Sequence, residues 1–246
     1  MIKVAVFGSK GHMGQEICKA VSGAPDLELV AAVDVGDDRD TVEHADVVID
    51  FTHPDVVMDN IKWCIDRGLH VVVGTTGFSP GKYDEVRSWL AAKPGVNALI
   101  ASNFSIAAVL LMHFAAKAAP FFESVEVIEL HHPRKVDAPS GTAITTAQKI
   151  AAAREEAASK PMPDATVKEM DGARGAVVDG VHLHSVRLQG LFAHEEVVFG
   201  NPGEMLTIRD DSFDRSSYMA GILTAVRAVG DRPGLTLGID DLLGIS

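Results

Sequence analysis

A glycine-rich turn set between a buried-looking strand and a helix constrains this chain more than any other feature. Val4-Ala5-Val6-Phe7 is a short apolar run, and Gly8-Ser9-Lys10-Gly11-His12-Met13-Gly14 follows it directly. Met13 to Ser22 then has helical spacing, with Ile17, Ala20 and Val21 on one face. A strand that turns straight into a helix belongs to a sheet of parallel strands joined by helices, because parallel neighbours need a crossover.

The next segments repeat that alternation. Strands are expected at Leu27 to Val33, Val47 to Phe51, Leu69 to Val73 and Ala98 to Ile100. Helices are expected at Val56 to Asp66 and Tyr83 to Ala92. The apolar strands imply burial on both faces. The pattern changes beyond Phe104. A long helix is expected at Ile106 to Ala119, a strand at Val125 to Leu130 and a helix at Thr142 to Arg154. Extended segments His182 to Gln189, Glu195 to Phe199 and Met205 to Ile208 are separated by Gly190, Gly200 and Gly203, which fits a mixed or antiparallel sheet. A final helix at Arg215 to Val229 and a short tail at Leu235 to Leu243 complete the chain. The fold class is therefore α/β. A Rossmann-type parallel-sheet domain over 1–104, completed by about 216–246, precedes an α+β domain over 105–215.

Composition narrows the partners. Acidic residues outnumber basic ones 34 to 22, a net charge of −12 that argues against general nucleic-acid binding. No apolar run is long enough to span a bilayer, and Met1 to Val6 lacks the apolar core and cleavage site of a signal peptide. Cys18 and Cys64 lie in apolar-periodic segments and read as reduced, buried thiols of a cytoplasmic protein.

The first turn suits a dinucleotide. Glycines let the backbone approach a pyrophosphate, and the helix N-terminus offers free N–H groups. The spacing is G-x-x-G-x-x-G rather than the common G-x-G-x-x-G, and a glycine turn without a ligand would look similar. Asp34 shifts the balance. It stands twenty residues after Gly14 at the end of the second strand, where an acid accepts hydrogen bonds from ribose hydroxyls. Val35 and Gly36 follow it instead of an arginine, which favours NADH, with NADPH tolerated if Lys10 and His12 compensate. Two further strand ends, Gly74-Thr75-Thr76-Gly77 and Ala101-Ser102-Asn103-Phe104, face the same crevice and leave room for a nicotinamide ring. Taken singly, each is also an ordinary strand-to-helix loop.

A second constellation runs from Glu129 to Thr142, where His131, His132, Arg134 and Lys135 lie within five residues. In an extended chain His131 and His132 point to opposite faces, so a shared ligand requires the strand to end there, and Pro133 makes that plausible. Histidine can transfer a proton near neutral pH, and lysine supplies positive charge. Ser140 and Thr142 open the following helix, where hydroxyls and first-turn N–H groups can hold a carboxylate, although plain N-capping uses the same groups. No metal site is expected. His182 and His184 share a strand face and His194 is nearby, but no carboxylate or cysteine completes a familiar ligand spacing. Arg187, Glu195 and Arg209 read as strand-pairing or subunit-contact residues.

The stretch Glu129-Leu130-His131-His132-Pro133-Arg134-Lys135-Val136-Asp137-Ala138-Pro139-Ser140-Gly141-Thr142 resembles the E-x-H-H-x-x-K-x-D-A-P-S-G-T motif of the dihydrodipicolinate reductase family of lysine and diaminopimelate biosynthesis. The glycine turn, Gly74-Thr75-Thr76-Gly77-Phe78 and Asn103-Phe104-Ser105 extend the resemblance over nearly the whole chain. It implies a nicotinamide-dependent oxidoreductase that reduces hydroxy-tetrahydrodipicolinate and assembles as a homotetramer through its substrate-domain sheets. His131 would be the proton donor and acceptor, and Lys135 a second proton donor. His132, Ser140, Gly141 and Thr142 would bind the dicarboxylate substrate. Gly8, Ser9, Lys10, Gly11, His12 and Met13 would bind the cofactor with Asp34, Gly74, Thr75, Thr76 and Ala101 to Phe104. Cofactor and substrate sites in different domains imply hinge closure. Lys10 stands where many members have glycine, and Asp210 where many have histidine.

Two rivals remain at this level. One is another two-domain dehydrogenase acting on an amino-acid semialdehyde; several use a cysteine nucleophile, which the helical settings of Cys18 and Cys64 disfavour. The other is a non-catalytic NAD-sensing protein, which would need neither His131 nor Lys135 beside an anion-binding helix.

Overall fold

The structure is a computed structural model that describes residues 1–245. In chain order the elements are β1 (Ile2–Phe7), α1 (His12–Gly23), β2 (Leu27–Val33), β3 (Val47–Asp50), α2 (Val57–Arg67), β4 (His70–Val73), α3 (Pro80–Ala91) and β5 (Ala98–Ile100). They continue with α4 (Ile106–Ala118), β6 (Ser124–His131), α5 (Gly141–Glu156), β7 (Ala176–Val178), β8 (Val181–Arg187), β9 (Ala193–Asn201) and β10 (Glu204–Ser212). The last are α6 (Met219–Val229) and β11 (Leu235–Leu237). The chain divides into two compact units, residues 1–105 with 218–245 and residues 106–217.

The first unit is built on a six-stranded parallel sheet in the order β11-β5-β4-β3-β1-β2. Its central strands are apolar because both faces are covered; Val47, Val48 and Ile49 of β3 and Val71, Val72 and Val73 of β4 are all buried. The register aligns the carboxyl ends in one row: Val33, Phe7, Asp50, Val73, Ile100 and Leu237 are successive partners across the sheet. The chain crosses one way from β1 to β2 and the other way to β3, so a crevice opens at the ends of β1 and β3. The segment expected as a tail contributes β11, an edge strand beside β5. Three residues are too few to show a strand period, and only pairing with Ala98 to Ile100 defines them.

The second unit carries a five-stranded mixed sheet in the order β10-β9-β6-β8-β7. The central pair β6 and β8 is parallel and the other pairs are antiparallel. Val125, Val127, Leu183, Val197 and Phe199 alternate inward from three strands and pack with Ala143, Ala147 and Ile150 of α5. Strand β10 runs through Ser212, well past the expected Ile208, because β9 pairs with it along its whole length. Asp210 therefore lies inside a strand. Arg154, in the last turn of α5, donates to the carbonyls of Ala119, Phe122, Glu123 and Lys160, tying the helix end to two loops.

The expected final helix starts as a 3-10 turn at Arg215–Tyr218 before α6, which packs on α1, β4 and β5. Cys64 is buried, and burial pushes its thiol above the ordinary value. Cys18 is only half-buried, because its helix position lies beside the apolar face. No helix among the described residues is long and apolar enough to cross a membrane. Gly221 sets the closest approach of α6: a Cβ there would lie 2.0 Å from the Phe104 carbonyl oxygen. Gly221→Ala should therefore lower stability by about 1–3 kcal/mol in denaturant melts, the usual cost of overpacking.

Candidate active site

Phe7, the last residue of β1, leads into Gly8, whose φ of +79° is left-handed. A Cβ at Gly8 would sit 2.5 Å from the Phe51 carbonyl oxygen, and one at Gly14 would sit 2.0 Å from the Gly8 carbonyl oxygen. Both glycines are steric requirements of the turn. Gly11 occupies the N-cap of α1 with no side-chain cap, so the first-turn N–H groups stay available to an anion. Asp34 accepts from the Lys10 and Val35 backbone N–H groups at 2.7 and 2.8 Å, so this acid ties the turn to the end of β2. The Lys10 ammonium is drawn 3.0 Å from Asp37, whose carboxyl that hydrogen bond holds below its ordinary value.

A cavity of about 580 Å³ opens beside this turn, walled by Gly8, Gly11, Asp34, Arg39, Phe51 and His53. Its size suits the adenosine half of a dinucleotide. Arg39, five residues beyond Asp34, was not singled out by the sequence; a 3-10 turn at Arg39–Val42 brings it to the wall. Its guanidinium is held by Asp59 at 2.7 Å and the Asn60 side chain at 3.1 Å.

The other two strand ends expected to face this crevice divide into supporting and open positions. Thr75 is buried and donates to Asp50 at 2.9 Å, while its oxygen accepts from the Thr52 N–H. Asp50, fully buried, also accepts from the Asn60 amide and the Thr52 hydroxyl. This network fixes the ends of β3 and β4, and the sequence hinted at it only through an acid closing an apolar run. Gly74 is required because a Cβ would fall 2.0 Å from the Phe51 ring. Phe51 in turn packs on Phe104, which is buried like Ala101. Thr76 and Ser102 are exposed, and Asn103 caps the Ser105 N–H at 2.8 Å.

In the second unit the Glu129 to Thr142 segment wraps around one carboxylate. Glu129 has no exposed surface. His131 Nδ1 lies 2.5 Å from its Oε2. Arg187 forms a two-pronged pair with the same group, both contacts at 2.8 Å, and its Nη2 also donates to the Asp137 carbonyl at 2.6 Å. The Ser140 N–H donates to Oε1 at 3.2 Å. Burial pushes the Glu129 carboxyl up, but hydrogen bonds from His131, Arg187 and Ser185 outweigh it and hold the group at about 2. Glu129 is thus a permanent anion that orients the His131 ring and leaves Nε2 as its free face. Arg187, expected to serve strand pairing, completes this node because β8 runs parallel to β6 and sets it opposite His131.

His132 points elsewhere. Its Nδ1 accepts from the Arg134 N–H at 3.2 Å, which leaves the proton on Nε2. Partial burial, with the charges of Arg134, His131, Lys135 and Arg215 nearby, keeps its imidazole below the ordinary value and neutral at pH 7. Lys135 is held 2.8 Å from Asp137, whose carboxyl that hydrogen bond lowers. Ser140 caps α5 by accepting from the Ala143 N–H at 3.1 Å. Nothing lies within 4 Å of the place a Gly141 Cβ would take, so the helix start is open at that point. The three histidines weighed as metal ligands are committed: His182 to the Arg174 carbonyl, His184 to Glu126 and His194 to Asp211. Among the described residues no three ligand-type side chains converge as a metal site.

Comparison with known proteins matches both units. Residues 2–104 match the family model described as dihydrodipicolinate reductase, N-terminus, and residues 107–243 the corresponding C-terminus model. A 4-hydroxy-tetrahydrodipicolinate reductase of Cutibacterium acnes is 62% identical over the full length of both chains. That of Nocardia farcinica is 61% identical over 99% of each. A dipicolinate-bound dihydrodipicolinate reductase from Paenisporosarcina sp. TG-14 superposes with a TM-score of 0.88 at 36% identity, covering 98% of this chain and 99% of that one. A myo-inositol dehydrogenase from Corynebacterium glutamicum, at 14% identity and a TM-score of 0.60 over 95% of this chain and 90% of that one, shares the fold alone.

Arg187→Ala would leave the buried Glu129 charge without its main counterion. It should cost about 3–5 kcal/mol of stability in denaturant melts, as broken buried pairs do.

Proposed function

The chain belongs to the dihydrodipicolinate reductase family, and we infer from that premise that it performs the 4-hydroxy-tetrahydrodipicolinate reductase reaction of lysine and diaminopimelate biosynthesis. The observation that carries this reading is the buried Glu129 node. It orients His131 and, through the Ser140 N–H, the capped start of α5. The residues of the first unit fit a nicotinamide dinucleotide: the turn at Gly8 and Gly14 has no room for a Cβ, and α1 begins uncapped. Gly8 to Met13 would hold the pyrophosphate, Asp34 the ribose hydroxyls, and Gly74 to Thr76 with Ala101 to Phe104 the nicotinamide end.

When bound, the reduced nicotinamide supplies the hydride for the unsaturated ring. The chain's own residues must hold the ring and return a proton. Gly141 and Thr142 at the start of α5 would seat one carboxylate on backbone N–H groups, with the Nε2–H of neutral His132 as a further donor. Negative charge that develops on the ring nitrogen system would be met by the Lys135 ammonium and neutralised by a proton from His131 Nε2. The pairing of His131 Nδ1 with Glu129 fixes the direction of that transfer. The partner substrate is thus a small dicarboxylate, and the setting is cytoplasmic, as befits a biosynthetic enzyme with free cysteines.

Asp34 in the adenosine cavity favours NADH. Arg39 on the wall, loosened from Asp59, is the group that would let NADPH serve as well. Homotetramer assembly is supported by the sheet face opposite α5, where Ile128, Leu130, Val186 and Val198 remain half-buried, and by Met205 and Leu206 exposed on edge strand β10. Light scattering should report four chains, and a monomer would refute this assembly.

The deciding assay supplies the condensation product of dihydrodipicolinate synthase and follows oxidation of NADH and NADPH separately. NADH should be consumed faster, and oxidation of neither would sink the assignment. In the same assay His131→Gln should lower kcat by about two to four orders of magnitude, the range for loss of a general acid. A rate near wild type would remove His131 from the mechanism.

A further inference from the structure

Three carboxylates lie side by side across the second sheet on the face that α5 covers. Glu129 on β6 is opposite Glu195 on β9, and Glu195 is opposite Asp210 on β10. Directly opposed residues of antiparallel strands have Cβ atoms about 5 Å apart. All three are buried, with Glu195 and Asp210 only 5% and 7% exposed. Glu129 is neutralised by Arg187, but the other two have no such partner. Glu195 Oε1 and Asp210 Oδ1 are buried without a hydrogen-bond partner. Two like charges so placed cannot both persist out of water, and a single proton between them relieves the repulsion and supplies the missing hydrogen bond.

The helix above responds to that proton. Thr146, fully buried on α5, has one hydroxyl proton and two acceptors. One is the Thr142 carbonyl at 3.1 Å, the other the Glu195 carboxyl. Thr142 belongs to the turn that would seat the substrate carboxylate. A neutral Glu195 competes weakly for the Thr146 proton, so Thr146 braces Thr142. An ionised Glu195 draws it away, because a hydrogen bond to an anion is the stronger.

We propose that Glu195 and Asp210 hold one proton between them and are positioning residues for the dicarboxylate seat on α5. With the proton in place Thr146 braces Thr142; without it, a second buried negative charge under the helix start weakens anion binding. The proposal rests on the dicarboxylate reading of that seat. Burial pushes the Glu195 carboxyl up to about 7, the Thr146 hydrogen bond opposing and the charges of Asp210 and Glu129 adding to it. Burial and Asp211 raise Asp210, against His194. Other ionisable groups stand on the elements packed around the pair. Arg187 and His131 are bound to Glu129, and Arg154 to backbone carbonyls. The helices packed on the sheet also carry Lys149, Glu155 and Glu156 on α5 and His113 and Lys117 on α4, while on the pair's own strands His194 and Arg209 are bound to Asp211 and Arg209 also to Glu196. The singly protonated pair is the form favoured at lower pH, and its proton is lost as pH rises through about 7.

The test is calorimetric titration of pyridine-2,6-dicarboxylate, whose own carboxyl groups stay ionised throughout, into the full chain with reduced cofactor between about pH 6 and about pH 8.5. At an effective dielectric of about 20, one added charge at about 8 Å predicts a Kd about thirtyfold weaker at the alkaline end. Glu195→Gln, which keeps the shape of the protonated acid, should bind with a Kd constant to within about twofold. Asp210→Asn removes the neighbour's charge and should move the transition to lower pH, and it answers the case of a Glu195 variant that does not fold. A flat wild-type profile, or the wild-type profile unchanged in both variants, would overturn the proton pair. Absence of binding at every pH would instead count against the dicarboxylate reading itself.

Discussion

The buried charge of Glu129 is the constraint on which the second unit depends. A carboxylate without solvent must be met on every side, and four groups from three pieces of chain do so: His131 from its own strand, Arg187 and Ser185 from β8, and the Ser140 N–H from the helix cap. The requirement to satisfy one anion therefore fixes the parallel partner of β6, the path of the loop from Pro133 to Pro139 and the entry angle of α5. Loss of any one contact would leave a buried charge underpaired, which is why the arrangement is rigid. Function would inherit that rigidity, since the ring that would deliver the proton and the turn that would seat the carboxylate hang from the same group.

The first unit solves a different problem with steric means. Its turn is shaped by what cannot fit. Gly8, Gly14 and Gly74 stand where a Cβ would strike Phe51 or the turn's own backbone. The polar groups beneath, Asp50, Thr52, Asn60 and Thr75, satisfy one another and hold the strand ends in line. Asp34 contributes twice. It anchors the Lys10 N–H in the free protein, and it borders the cavity where ribose hydroxyls would compete for the same oxygens.

The three-carboxylate row joins these themes. Evolution of a buried acid usually requires a cation or a proton as companion, and the sheet here uses one of each. Arg187 serves Glu129, while Glu195 and Asp210 have no such cation and each keeps one buried oxygen unpaired. The contrast sets a paired charge beside two unpaired buried acids on one sheet, one turn of helix below the proposed substrate seat.

Much of this was legible in the residue order. Hydrophobic period and glycine placement located nearly every helix and strand of the first unit, since parallel strands buried on both faces write themselves as unbroken apolar runs. The run Glu129 to Thr142 marked the candidate catalytic segment because such a density of charge before a helix start has no use in a core. The roles within it were not legible. Glu129 looked like one more strand residue, Arg187 like a pairing residue, and Asp210 appeared to follow its strand, because nothing local records that β8 lies parallel to β6 or that β10 is nine residues long. β11 was invisible for the same reason. The sequence alone determined the alternation of elements, the steric demands of the first turn and the chemistry available after β6. Tertiary structure decided which buried acids meet a cation and which meet each other, since strand register brings Arg187 to Glu129 and Asp210 to Glu195 from separate strands, and a local pattern carries no information on such pairings.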